Sequence, residues 1–364
     1  MNTFLLAHNY TDDSFAAMSY HFAHYIAKKG NRVVFISHKP HFEFKQILKE
    51  GKGELIVLSW PTKKRPTTLR DVFWFIKIFI NYKPKTIIGH FVGSNISAIV
   101  AKFFSFWNSK TIVYYHTLSQ QIRTDSKISA TKQKILNYRK KIFYLIFCDL
   151  IICPSKMSEL DLYRVYNIQK SKVILNSISD RYKTKSQISG NKIIISYLGR
   201  LDPSKGVKEL IEAFKKYKLS FPDSKLLLNI AGGGTLEKFF KEMTNEIDGI
   251  RFLGPLKYSE IDDYLCNSHF TVIPSLFDNL PTVGLESLMN ATPLLISSNT
   301  GLTEYLTEGE NCFKFNINDN SLFELFGKLE TLNEELITMR INARETYQNL
   351  FSMQKYCENF SQVI

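Results

Sequence analysis

Short apolar runs alternate with longer stretches of helical periodicity, and the alternation occurs twice. Residues 4–7, 32–37, 54–58, 86–89, 111–115 and 150–153 read as buried parallel strands, with apolar spacing near 3.6 between them at 15–28 and 95–106. Such a pattern folds as βαβ units, a parallel sheet covered on both faces. It stalls after 173–176, and the polar, weakly periodic stretch 177–191 reads as an interdomain linker. The alternation then restarts. Strands are expected at 193–198, 226–231, 250–253, 270–273 and 293–297, and helices at 207–217, 236–246, 259–266 and 281–289. The last forty or so residues are helical in pattern. The expectation is an α/β protein of two tandem doubly wound domains, with the cleft between them as the default ligand site.

Charge separates the halves. Residues 1–180 carry 27 Lys and Arg against 11 Asp and Glu, a balance of +16, whereas residues 181–364 carry 20 against 23. The first half is expected to face something anionic. Five scattered cysteines with no Cys-x-x-Cys spacing disfavour a disulfide framework or zinc site and fit a reducing compartment. No secretion signal is apparent, and the most apolar stretch, 142–153, is broken by Asp149 and too short to span a bilayer. The composition, 44% hydrophobic and 22% charged, excludes a largely disordered chain.

Two segments carry chemistry. In Gly199-Arg200-Leu201-Asp202-Pro203-Ser204-Lys205-Gly206, between a strand and a helix, two cations and a helix start sit where a doubly wound sheet binds ligands. A guanidinium fork beside an ammonium suits a diphosphate; the plain alternative is a pair of solvated loop cations. The second segment, 274–289, again runs from a strand end into a helix, with Pro281 at or near the first helical position. Asp278 and, eight positions on, Glu286 bracket that helix start. A carboxylate between Leu285 and Leu288 needs a partner, either ribose hydroxyls or a neighbouring lysine.

Together these segments resemble the retaining nucleotide-sugar glycosyltransferases of the GT-B fold, family 4. Gly-Arg followed by Lys-Gly, then an acid-x7-Glu motif preceded by Pro-Ser, have that family's order and spacing. Ala231-Gly232-Gly233-Gly234, Phe252-Leu253-Gly254-Pro255-Leu256, Pro293 and Gly301 extend the likeness over 193–305. It implies two Rossmann-like domains, an acceptor-binding one at 1–180 and a nucleotide-sugar-binding one at 190–349, with a terminal helix at about 350–364 packing back on the first. It also implies that Arg200 and Lys205, with Gly199 beside them, hold the donor diphosphate and that Glu286 holds the ribose. The amides of Leu280, Thr282 and Val283 would meet the phosphates or donor sugar, and Leu253 would border the base. Asp278, where the family usually has Glu, and His116, at the end of strand 111–115, take the catalytic positions. A lone strand-end histidine is as readily structural. The loop 8–14 lacks the paired glycines common in the family, and Asn176-Ser177 replaces its frequent Asn-Gly.

The activity so implied is transfer of a sugar from a UDP- or GDP-sugar to a glycan or lipid-linked glycan, with retention and with no metal or other cofactor. Residues 123–141 hold seven basic residues against Asp125 alone; with 142–147, and with Lys63-Lys64-Arg65 before the aromatic run 73–79, they resemble a surface for an anionic membrane. A solvated helix face is the plain alternative. The expected location is cytoplasmic and peripheral to the inner membrane face. No nucleic-acid module or Gly-x-Gly-x-x-Gly fingerprint accompanies the charge. Two other readings stay open: a sugar-nucleotide epimerase, and a catalytically silent subunit that steadies an active partner.

Overall fold

The structure, a computed structural model, describes residues 1–8, 14–38, 46–62, 67–90, 94–125, 129–182, 190–245, 247–332 and 334–364. They form two compact units. One comprises 1–116, 128–179 and 353–364, the other 117–127 and 180–352. Residues 117–127, which lie within the first domain by sequence, therefore group with the second unit.

The first unit contains β1 (Thr3–Ala7), α1 (Ser14–Lys28), β2 (Arg32–Ser37), β3 (Gln46–Glu50), β4 (Gly53–Ser59), α2 (Leu69–Tyr82), β5 (Thr86–Gly89), α3 (Ser94–Phe104) and β6 (Lys110–Tyr114). After α4 (Ser119–Asp125), which groups with the second unit, come α5 (Ala130–Phe147), β7 (Leu150–Cys153), α6 (Lys156–Tyr166) and β8 (Ser171–Val173). Among the described residues the sheet runs β3-β4-β2-β1-β5-β6-β7-β8. It is parallel except for β3, which pairs antiparallel with β4 at the edge. Alternate residues of each strand face opposite ways. Phe4 and Leu6 pack with α1, while Leu5 and Ala7 pack with α2 and α3.

The second unit contains β9 (Ile193–Leu198), α7 (Val207–Ser220), β10 (Leu226–Ala231), α8 (Glu237–Thr244), β11 (Ile250–Gly254), α9 (Tyr258–Cys266), β12 (Phe270–Ile273) and α10 (Thr282–Met289). It continues through β13 (Leu294–Ser297), β14 (Cys312–Phe315), α11 (Ser321–Leu329) and α12 (Glu335–Thr346). All six strands are parallel, in the order β11-β10-β9-β12-β13-β14. The winding direction reverses between β9 and β12, and the loops leaving their carboxyl ends are 199–206 and 274–281. Ligands of open α/β sheets bind at such a reversal.

The last helix, α13 (Met353–Ser361), belongs to the first unit, where Phe360 meets Phe22 at 4.6 Å and the Tyr356 and Tyr114 hydroxyls are hydrogen-bonded. The stretch 177–191 is not a bare linker. Ser177 and Ile178 are buried, the Ser177 hydroxyl lying 2.9 Å from Met353 Sδ, and Arg181 is drawn into a carboxylate cluster described below. Residues 183–189 lie outside the described residues. The five cysteines are free and buried.

Candidate functional site

The loop after β9 leaves the sheet at Gly199, whose N–H donates to the Ala231 carbonyl at 3.2 Å. Gly232 lies so close that a methyl there would overlap the Gly199 carbonyl oxygen. A single 3₁₀ turn, Pro203–Lys205, then ends at Gly206 with φ +65°. A side chain at Gly206 would strike the Pro274 carbonyl oxygen, so the glycine lets this loop touch the one leaving β12. The Leu276 N–H donates to the Ser204 carbonyl at 2.9 Å and fastens the same contact. Between these two ties Lys205 reaches Asp278, with Nζ 2.5 Å from Oδ2.

Asp278 is buried. Its Oδ1 accepts the Asn279 N–H at 2.9 Å, and its backbone carbonyl accepts Gly301 N–H at 3.0 Å. Arg200 is the open member of the set, with 61% of its side chain exposed. It pairs with Asp202 and lies 3.7 Å from Asp125 of α4. Asp125 also accepts the Ser204 N–H and hydroxyl at 3.2 and 3.0 Å. Both cations thus face protein carboxylates and stand on one loop at the reversal of the sheet.

Pro281 is the residue before the first turn of α10 rather than within it, and no side chain caps that turn. Leu280 is buried, while Thr282 and Val283 are half-buried at the helix start. Glu286 lies further along α10, 5% exposed. Its partner is not a lysine but Arg181, whose guanidinium is 3.6 Å away. Arg181 also grips Asp262 of α9 through two hydrogen bonds of 2.8 and 3.0 Å, with the Tyr258 ring beneath it. Burial pushes the Glu286 carboxyl up to about 7, against the pull of Arg181. Leu253 of β11 points outward, whereas neighbouring Phe252 packs on the core.

His116 lies in the first unit, two residues beyond β6 rather than directly at its end. Half-buried itself, it adjoins buried His8 after β1 and buried His90 after β5, at the carboxyl ends of three adjacent strands. His90 Nδ1 lies 3.3 Å from His116 Nε2, and Ser19 Oγ lies 3.0 Å from His90 Nε2. Tyr114 stacks on both His90 and His116. Neighbouring groups that shield His116 from water, then His8, push its imidazole down to about 3, which favours the neutral ring at neutral pH. Residues 9–13 of the first loop lie outside the described residues. Among the described residues no cluster of three or more His, Cys, Asp or Glu is arranged to hold a metal ion.

Two family profiles divide the chain between them. Glycosyltransferase Family 4 matches residues 16–181, and glycosyl transferases group 1 matches residues 178–346. The chain belongs to the family 4 type of glycosyltransferases, with the GT-B fold. An uncharacterised glycosyltransferase of Methanocaldococcus jannaschii is 26% identical over 300 residues, 76% of this chain and 69% of that one. Sucrose-phosphate synthase of Thermosynechococcus elongatus superposes with a TM-score of 0.77 at 17% identity, over 100% of this chain and 98% of that one. HepE of Anabaena, solved in complex with UDP, superposes with a TM-score of 0.75 at 15% identity, over 100% and 99%. At these identities the two structures share the fold.

Four residues that sequence reasoning left without a role contact or neighbour the candidate residues, Asp125 and Arg181 within the second unit and His8 and His90 within the first. Asp125 and Arg181 come from a basic run and a polar stretch whose composition gives no hint of a carboxylate or guanidinium partner. His8 and His90 each follow a strand by one residue, as ligand-facing groups of α/β sheets do.

Proposed function

We propose that this glycosyltransferase moves a hexosyl group from a nucleoside diphosphate sugar, with UDP or GDP as carrier, to a glycan or lipid-linked glycan in cell-surface polysaccharide or glycoconjugate synthesis. The observation that carries the reading is the pairing of Arg200 and Lys205 on one short loop at the sheet reversal, locked to the Asp278 loop. A diphosphate there would meet a guanidinium fork and an ammonium together. As the bond between anomeric carbon and diphosphate oxygen breaks, charge grows on the leaving phosphate, and these two cations would neutralise it. That arrangement supports transfer without a metal ion.

Glu286 would accept two ribose hydroxyl hydrogen bonds, and the open side of Leu253 would border the base. Asp278, drawn back by Lys205, would take the donor sugar's hydroxyls, with its shorter side chain met by a shifted sugar or a water. His116, neutral and oriented through His90, would donate or accept a hydrogen bond from the sugar. Retention of anomeric configuration follows the family's pattern. The acceptor would be met by the basic first unit, at the cytoplasmic face of the membrane.

A thermal-shift screen against UDP, GDP and ADP tests the donor class. A carrier bound at a hundred times its Kd adds about 2.7 kcal/mol to stability, a shift of several degrees. Product analysis with the sugar form of the carrier that scores then decides the reaction. A second reading, a silent subunit, draws on the carboxylates already facing Arg200 and Lys205; such a subunit would show no shift with any carrier.

A further inference from the structure

Three neighbouring helices of the first unit, α2, α3 and α5, cover one face of its sheet. A surface helix ordinarily turns an apolar stripe inward and polar residues outward. These three are apolar on both sides. In α5, Phe143 and Tyr144 are buried, yet Ile135, Tyr138, Ile142, Leu145 and Ile146 form an exposed stripe at spacings of three and four. In α2, Phe75 and Phe79 are buried, and Leu69, Phe73 and Ile80 are exposed on the other side. Between them α3 ends in Phe103 and Phe104, followed by Phe106, 85% exposed, and Trp107, 49% exposed, both in the left-handed backbone region. Phe103 joins the helices, lying 5.3 Å from Trp107 and 6.0 Å from Phe147 of α5. Among the described residues of this unit, the exposed large apolar side chains away from α2, α3, the turn after it, α5 and α6 are Met1 and Ile47 alone.

The charge on this face has one sign. α5 carries five basic residues and no acid, with Lys132, Lys134 and Arg139 exposed beside the apolar stripe. α2 adds exposed Arg70 and Lys77. Its acid, Asp71, is buried in a capping box with Thr68. Lys102 of α3 is buried and neutralised by Asp149 at 2.6 Å. Lys63, Lys64 and Arg65, which the sequence places in this surface, lie outside the described residues.

We propose that the outer face of α2, α3 and α5 docks on an anionic lipid bilayer, with the Phe103–Trp107 turn inserted at headgroup depth and the lysines and arginines against the phosphates. Exposed aromatic and aliphatic groups framed by cations match a headgroup boundary, where an apolar layer lies beneath negative charge. A second copy of the chain fits poorly, because a two-fold contact here would press like charges together, the exposed acid beside α3, Asp149, being already paired with Lys102. This docking names the partner of the acceptor-binding unit and rests on the proposed function only in placing a lipid-linked acceptor within reach. The surface itself is read from exposure and charge.

The test is co-sedimentation of the whole chain with phosphatidylcholine vesicles, with and without phosphatidylglycerol. The wild type is expected to pellet with the phosphatidylglycerol vesicles, less with phosphatidylcholine alone, and less again in high salt. Phe106→Ser with Trp107→Ser, and separately Lys132→Glu with Arg139→Glu, should each lower the partition roughly tenfold or more. Leu219→Ser, an exposed apolar site of the second unit, should not change it. Thermal melting and the UDP-induced shift should be the same in all variants. The proposal is overturned if the wild type stays in the supernatant, if the paired variants pellet like the wild type, or if light scattering shows a dimer that Phe106→Ser with Trp107→Ser dissociates. Loss of every carrier-induced shift with vesicle binding intact would remove the donor reading and leave this one standing.

Discussion

Lys205 and Asp278, 73 positions apart in the chain, meet at 2.5 Å and join the two loops that leave the sheet where its winding reverses. Each side chain is mostly buried, so the pair is structural as well as chemical. Removing the lysine would leave a buried carboxylate uncompensated, a loss of about 3 kcal/mol or more. Lys205→Ala is therefore expected to lower the melting temperature as well as abolish transfer. Lys205→Ala with Asp278→Asn should recover most of the stability and none of the activity. A double-mutant cycle in urea measures the coupling, and additive losses would show that the pair contributes nothing.

Glu286 sets a pH dependence. Its carboxyl is raised from 4.5 to about 7, so the folded unit binds that proton more tightly than the unfolded chain. The stability this contributes is fully present below about 4.5 and is lost as pH rises through about 7. Carrier binding runs the other way, because the ionised form accepts ribose hydroxyls best. UDP affinity should rise roughly tenfold between pH 6 and pH 8. Glu286→Gln should flatten that slope, and Arg181→Gln, which removes the cation holding the carboxyl down, should move its midpoint upward. Titration of UDP across pH checks both; a slope that survives Glu286→Gln belongs to another group.

Gly206 is the conformational hinge of the cation loop. At φ +65°, against the Pro274 carbonyl, Gly206→Ala meets both backbone strain and overlap. A loss of at least about 2 kcal/mol is expected, together with weaker UDP binding as the loop withdraws. Gly309→Ala, also at positive φ but with open space around it, is the control for strain alone. Equal losses at the two positions would mean that the contact with Pro274 is not what holds the loop.

The histidines after β5 and β6 act on stability under acid. His90 and His116 are both held well below their ordinary range by burial, so each is neutral when folded and takes a proton on unfolding below about 6.5. Their stabilising contribution is present above that pH and falls away as pH drops below about 6.5, by at most about 1.4 kcal/mol per pH unit for each group. His116→Gln should reduce the slope of unfolding free energy between pH 6.5 and 4.5 by about half of the pair's share. An unchanged slope would mean that His116 is charged in the folded unit.

The strands β1, β2, β5, β7, β9, β10 and β12 were legible because each is a continuous apolar run closed by a turn, as buried parallel strands must be. The edge strand β3 was not. Its sequence, Gln46-Ile47-Leu48-Lys49-Glu50, is half polar because its outer side faces no further strand. The loop cations and the two acids of the second unit were legible because they sit at fixed offsets from strand ends. Their partners were not, since Asp125 reaches Arg200 and Ser204, and Arg181, held by Asp262, reaches Glu286, by tertiary approach alone. The double-faced apolarity of α5 was half legible. Its basic residues stand out in sequence, but which of its apolar groups turn outward depends on where Phe143 and Tyr144 are buried.

The most direct measurement is isothermal titration of UDP and GDP into the wild-type chain and into Arg200→Ala. Arg200 is 61% exposed, so its removal should cost less than about 1 kcal/mol of stability and leave the melting temperature nearly unchanged. One site per chain for one of the two carriers, weakened roughly tenfold or more by Arg200→Ala, is the predicted result. Heat-silent titrations, or equal affinity in the variant, would contradict the assignment of this loop to the donor diphosphate.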